Sequence, residues 1–284
     1  MPIILACTDG STYALSIYQH AAWAAHRLGA GVEVLHVLDH RRERASGVDL
    51  SGSIGFDASE QLTQELVRLE EAQGRVQRLK GAAILEDARR QFAAAGVADI
   101  TATQRHGTLV ETLEELEPRC ELVVIGKRGE QAGLARGHLG GNLQRVIRTA
   151  VRPVLVASRA FTPIEQLLIA YDGGPSVAQA IDFAVASPLL RGVSCHLLRA
   201  GGRDEKADAL QEQAAARLRE AGYVVTSHRL PGEPETVIAD AVKREGIQLL
   251  VMGAYGHSPI RHLVLGSTTT TMVRTCQVPV LMFR

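Results

Sequence analysis

The sequence predicts an α/β fold of two tandem doubly wound domains, each a five-stranded parallel sheet of order 3-2-1-4-5 flanked by helices. Three observations predict it. Short apolar runs of strand length alternate with longer stretches of helical period, the pattern of parallel crossover units. Four segments of the first half recur in the same order in the second, which marks two copies of one unit. IILACTDGS from Ile3 matches LLIAYDGGPS from Leu167, GVEVLHV from Gly31 matches GVSCHLL from Gly192, and LVVIGKRG from Leu122 matches LLVMGAYG from Leu249. HLGGNLQRVIRTAVRPVLVA from His138 matches HLVLGSTTTTMVRTCQVPVLM from His262. Finally, strand character stops at Phe161-Thr162-Pro163 and resumes at Leu167, which sets expected domains at 1–160 and 164–284.

In chain order, residues 3–6 read as a first strand that delivers Asp9 at its carboxyl end, with Ser11 placed to cap a helix over 13–28. Residues 31–38 form a second strand. Residues 39–57 read as an irregular surface loop, and 58–95 as a long amphipathic helix, open to a break near Gly74 or Gly81. Its length suggests that it projects past the sheet or packs on a partner subunit. A third strand is expected at 99–103, a helix from His106-Gly107 to about Pro118, a fourth strand at 122–125 and a fifth at 153–157. The second half repeats this plan, placing Asp172 where Asp9 stands.

In a doubly wound sheet, ligands sit at the carboxyl ends of the strands where the winding reverses, here between the first and fourth strands. Asp9 meets the loop at Gly126 there, and Asp172 meets the loop at Gly253. The run from 249 to 252 ends at Gly253, with Gly256 and then Gly266-Ser267 in the spacing G-x2-G-x9-G-S, before a helix that opens at Thr268. Glycines admit a ligand to the backbone, and a helix N-terminus presents N–H groups without internal partners, so this stretch reads as a phosphate cradle. In the first half ten residues separate Gly129 from Gly140, and Gly141-Asn142 replaces Ser267-Thr268, so one hydroxyl is missing.

Composition narrows the function. Among 284 residues the 31 Lys and Arg balance the 31 Asp and Glu, so no global field recruits nucleic acid or an anionic membrane. The four cysteines lack a CxxC pair and read as buried free thiols. No apolar run reaches the roughly 18 residues of a membrane helix, the N-terminus lacks a leader pattern, and the expected location is the cytoplasm. The ten histidines show no metal-ligand spacing, with His36 and His196 expected as satisfied residues of the core.

The glycine spacing and the final strand of each half resemble the nucleotide-binding signature of the universal stress protein family, and the likeness covers the whole chain as a tandem pair. It implies ATP, with Mg²⁺ arriving on the phosphates rather than through protein ligands. Asp172 would contact the ribose or base and Leu198 would offer backbone groups to adenine. Met252, Gly253, Gly256, Gly266, Ser267 and Thr268 would line ribose and phosphates. The first half keeps Asp9, Gly126, Gly129 and, at the adenine position, Val37, with Gly140, Gly141 and Asn142 on a degenerate loop, and is the weaker site.

Lys127, Arg128, Arg136, His257, Arg261 and His262 read first as surface charges, with phosphate neutralisation as the alternative. Ser267 and Thr268 to Thr271 read first as helix-capping hydroxyls, with self-phosphorylation as the alternative. Asp172-Gly173-Gly174-Pro175-Ser176 departs from the S-G-G-x-D-S loop of ATP pyrophosphatases in two places. No general base is placed for phosphoryl transfer, so hydrolysis is expected to be slow or absent. The competing readings are an interaction scaffold with vestigial pockets and an ATP-using transferase. The two fifth strands are apolar edges that mutual pairing would cover, giving an internal pseudo-dimer, and a further homodimer is left open.

Overall fold

The structure, a computed structural model, describes residues 1–38, 56–127, 141–255 and 266–284. The first half runs β1 (Ile3–Cys7), α1 (Ala14–Leu28), β2 (Gly31–Leu38), α2 (Phe56–Ala94), β3 (Ile100–His106), α3 (Leu109–Leu116), β4 (Leu122–Gly126), α4 (Gly141–Thr149) and β5 (Val154–Ala157). The second runs β6 (Gln166–Ala170), α5 (Pro175–Ala186), β7 (Ser194–Ala200), α6 (Glu205–Glu220), β8 (Val225–Leu230), α7 (Pro234–Arg244), β9 (Leu249–Gly253), α8 (Ser267–Thr275) and β10 (Val280–Phe283).

All ten strands join one sheet of order β3-β2-β1-β4-β5-β10-β9-β6-β7-β8. Each half has the expected order 3-2-1-4-5 with parallel neighbours, and the halves meet through antiparallel β5 and β10, Leu155 opposite Leu281. The apolar fifth strands therefore cover each other, as their sequences suggested.

Side chains alternate across the sheet, and both faces are covered, which is why the central strands read as unbroken apolar runs. Ile4, Ala6, Val124, Leu155, Ile169, Val251 and Leu281 pack with α1, the end of α2, α5 and α6 on one face. On the other, Leu5, Val123, Val156, Leu168, Leu250 and Met282 pack with α3, α4, α7 and α8. The outermost strands β3 and β8 carry polar residues, Thr-Gln-Arg-His and Thr-Ser-His-Arg, which suits an edge that stays in water.

Helix α2 is unbroken for 39 residues. Gly81 does not interrupt it. A Cβ there would lie 2.8 Å from Gln104 Nε2 and 2.9 Å from His36 Cδ2, so the glycine lets the helix lie close on β2 and β3. Leu85, Ala88 and Phe92 bury the last turns, whereas Leu66, Leu69, Val76 and Leu79 stand exposed on the earlier ones.

The two halves are also tied by polar contacts. Arg27 of α1 donates to the carbonyls of Leu189 and Arg191, Tyr255 Oη to Arg148 O at 3.3 Å, and Arg284 Nη1 to Thr149 O at 3.1 Å. The thiols of Cys7, Cys120 and Cys195 are buried, Cys276 is half-buried, and all four are free. Burial pushes the Cys120 thiol up to about 11 and that of Cys195 to about 12, which keeps both protonated and inert. Among the described residues no helix is long and apolar enough to cross a membrane.

Candidate functional site

The sheet order brings three strand ends together in the second half, because β7, β6 and β9 are consecutive neighbours. Asp172 lies two residues past Ala170, the partner of Met252 on β9 and of Leu198 on β7. Its Oδ1 accepts the Gly174 N–H at 2.8 Å, a turn that starts α5 and fixes an exposed carboxylate at the strand ends.

Helix α8 is held against the same edge. The buried Thr269 hydroxyl donates to Gly253 O at 3.1 Å, and Gly266 N–H to Ala254 O at 3.5 Å. Gly266 is the N-cap and supplies no side-chain bond, so the first-turn N–H groups of α8 lack a side-chain cap. Ser267 is exposed at that turn, while the Thr268 hydroxyl donates to Glu235 Oε1 at 3.0 Å. Of the two hydroxyls, Ser267 therefore faces outward and Thr268 is already engaged with α7. Gly256, His257, Arg261 and His262 lie outside the described residues.

Two expectations change. Gly253 is required by packing: a Cβ there would meet Ser176 Cβ at 2.8 Å and Val177 N at 3.5 Å, at the first turn of α5. We expect Gly253→Val to lower stability by about 1–3 kcal/mol through overpacking, whether or not a ligand binds. Urea unfolding of both proteins in the absence of nucleotide checks this.

The second concerns the pair Val37 and Leu198. Ladder register sets Cys7 opposite Leu35 and Ala170 opposite Leu198, and Leu35 O accepts Thr8 N–H as Leu198 O accepts Tyr171 N–H. Leu198 thus corresponds to Leu35, and the level of Val37 is taken by Ala200, which the sequence alone did not single out. The matched GV pairs misled because Gly31 begins β2, whereas Gly192 lies in a left-handed turn ahead of β7 with φ of 74°. Leu198 and Met252 are both buried, with side chains in the core beneath the strand ends. Leu198's carbonyl is spent on the chain itself.

The first half is built differently. Asp9 Oδ1 accepts Ser11 N–H at 3.0 Å, repeating the turn at Asp172. Gly10, with φ of 71°, lies under α2: a Cβ there would come within 2.6 Å of Ile84 Cδ1. The corresponding helix of the second half, α6, has only 16 residues. Gly126 ends β4 beside β1, but Lys127 turns away from it. That side chain is buried, and its ammonium donates to the carbonyls of Cys276 and Val278, the latter at 3.2 Å. Burial holds its pKa below the usual lysine range. Lys127 bridges the halves instead of facing a phosphate. Gly141 and Asn142 open α4, and Arg128, Gly129, Arg136 and Gly140 lie outside the described residues.

His36 and His196 both have partners, His36 Nδ1 with Thr8 O at 2.9 Å and His196 Nδ1 with His228 Nε2 at 3.0 Å, but of the two His36 is buried as expected and His196 is only half-buried. Among the described residues no group of three or more His, Cys, Asp or Glu is placed to hold a metal ion.

Comparison with known proteins agrees with this architecture. The model of the universal stress protein family matches residues 1–158 and 185–284. Universal stress protein Slr1230 of Synechocystis sp. is 39% identical over 287 residues, covering 100% of both chains. Universal stress protein Rv2005c of Mycobacterium tuberculosis is 31% identical over 201 residues, 62% of this chain and 66% of that one. The crystal structure of a universal stress protein from Archaeoglobus fulgidus superposes with a TM-score of 0.70 at 18% identity, over 99% of this chain and 96% of that one. With both halves matched and one relative alike from end to end, the chain belongs to the universal stress protein family as a tandem two-domain member.

Proposed function

We propose that the protein is a cytoplasmic stress-response module that binds ATP in its second half and hydrolyses it slowly or not at all. The observation that carries this reading is the first turn of α8, which has no side-chain cap and adjoins the strand ends that hold Asp172. Backbone N–H groups at Ser267 and Thr268, with the Ser267 hydroxyl, suit phosphate oxygens, and an exposed carboxylate at Asp172 suits ribose hydroxyls. Ala200 is the added candidate for the adenine edge, beside Leu198. Mg²⁺ would come bound to the phosphates. The first half is the lesser site, because Ile84 covers Gly10 and Lys127 is engaged elsewhere. Occupancy would act by favouring one state of association over another, through differential affinity.

The test is calorimetry of the full chain with Mg²⁺ and ATP. One site per chain is expected. Ser267→Glu places a carboxylate where the phosphate would sit, at an exposed position where an acidic residue favours the helix. It should weaken binding roughly 50-fold, a loss of one good charge-assisted contact plus repulsion. Gly141→Glu, the first-half equivalent with open space around an added side chain, should leave the affinity within about twofold. Equal loss in both variants, or no binding by the native chain, defeats the proposal and favours the scaffold reading.

A further inference from the structure

We infer that the exposed part of α2 is a self-association surface that pairs antiparallel with the same helix of a second copy of this chain. Residues from Leu62 to Ala83 span roughly 32 Å of helix at 1.5 Å per residue, beyond the turns that Leu85, Ala88 and Phe92 anchor in the core. Leu66 is 43% exposed, Leu69 54% and Val76 62% on one face of the helix with Leu79, 72% exposed, on its flank, while Val67, Glu71 and Arg78 take the other side. Leu62, Leu66, Leu69, Val76 and Ala83 follow the alternating three and four spacing of a helix-pairing seam in which Gln73 and Lys80 are the polar positions, and Leu79 lies beside it.

The order of these residues selects the partner. Read in both directions from a centre between Ala72 and Gln73, the helix is a hydropathic palindrome. Leu69 is level with Val76, Leu66 with Leu79, and Leu62 with Ala83. An antiparallel copy in that register sets apolar against apolar at every one of those levels. Charge behaves in the opposite way: Glu65, which flanks the seam, is level with Lys80, which falls in it. The antiparallel copy sets Glu65 of each helix against Lys80 of the other. A parallel copy would stack like on like. A two-fold contact is by nature self-complementary, and this segment has that property in both apolar pattern and charge.

The surface is separate from the β5–β10 seam inside the chain and from the strand ends of the second half. Dimerisation here would leave that site open.

Sedimentation velocity of the full chain across a concentration series gives the first reading, with a dimer expected. Leu69→Glu with Leu79→Glu should weaken it about 100-fold or more while the thermal midpoint of the monomer is held, since both side chains are exposed. Lys80→Glu should weaken the homodimer, and mixing that variant with Glu65→Lys should restore a heterodimer. Direction is read by oxidation. Leu69→Cys alone should not crosslink, whereas a mixture of Leu69→Cys and Val76→Cys should. A monomer at all concentrations, a dimer indifferent to Leu69→Glu with Leu79→Glu, or crosslinking of Leu69→Cys to itself each overturns the inference.

Discussion

Phe92→Ala is expected to destabilise the protein by about 3–5 kcal/mol, the range for truncating a buried aromatic. Phe92 is fully buried near the end of α2 and meets the Tyr18 ring of α1 at 5.4 Å between centroids, tilted by 56°. Tyr18 is itself fixed by a hydrogen bond of 3.0 Å to Thr8 Oγ1, one residue before Asp9. The ring therefore locks the long helix to the first crossover, and its removal leaves a cavity between them. Val76→Ala, on the same helix but exposed, should change stability by no more than about 0.5 kcal/mol. Chemical denaturation of the two variants checks this, and a Phe92→Ala loss under about 1 kcal/mol would mean that α2 is not anchored there.

The second large effect is a dependence on acid. His20 is fully buried in α1, and its Nδ1 donates to Ser16 O at 2.7 Å, which leaves Nε2 with no hydrogen-bond partner, against the edge-on ring of Phe161. Protonation would place an N–H with a positive charge in that apolar spot. Burial, with Lys127 adding repulsion, lowers its pKa from 6.5 to about 4. The folded state thus holds neutral His20 where the unfolded chain takes up a proton, so the stability is fully present above pH 6.5 and is lost as the pH falls towards 4. The loss is on the order of 3 kcal/mol, since a tenfold change in proton affinity between the folded and unfolded chain is worth about 1.4 kcal/mol. His20→Gln has no such proton. The stability gap between the native protein and that variant should narrow by about that amount between pH 6.5 and 4, and parallel curves would show that His20 is not the titrating group.

Much of the fold was legible because a repeat is a strong signal. Matched strand segments gave the order of both halves, and Asp9 and Asp172 landed at strand ends beside the glycine loops, where two successive neighbours in the sheet had to put them. The apolar, proline-led fifth strands announced that an edge needed covering. What stayed hidden depended on tertiary neighbours. Gly81 and Gly253 carry the same letter for a backbone that bends and for a backbone that is approached, and only Gln104, His36 and Ser176 show that both are approached. A slip of two residues keeps every strand side chain on its own face, so the mismatch between Val37 and Leu198 left no trace in hydropathy. Lys127 follows a glycine in a loop that resembles a phosphate site, yet its partners, the carbonyls of Cys276 and Val278, are about 150 positions away.

The antiparallel seam between β5 and β10 has a consequence for synthesis. Val154–Ala157 leaves the ribosome well before Val280–Phe283, the last strand of the chain. Throughout that interval the nascent first half carries an apolar strand with a vacant row of backbone donors and acceptors, and translation at roughly 5–20 residues per second makes the wait several seconds long. On a polysome, neighbouring nascent chains expose the same strand, and pairing between them competes with waiting for the correct partner. Production of this protein should therefore respond to ribosome spacing and to pauses downstream of β5.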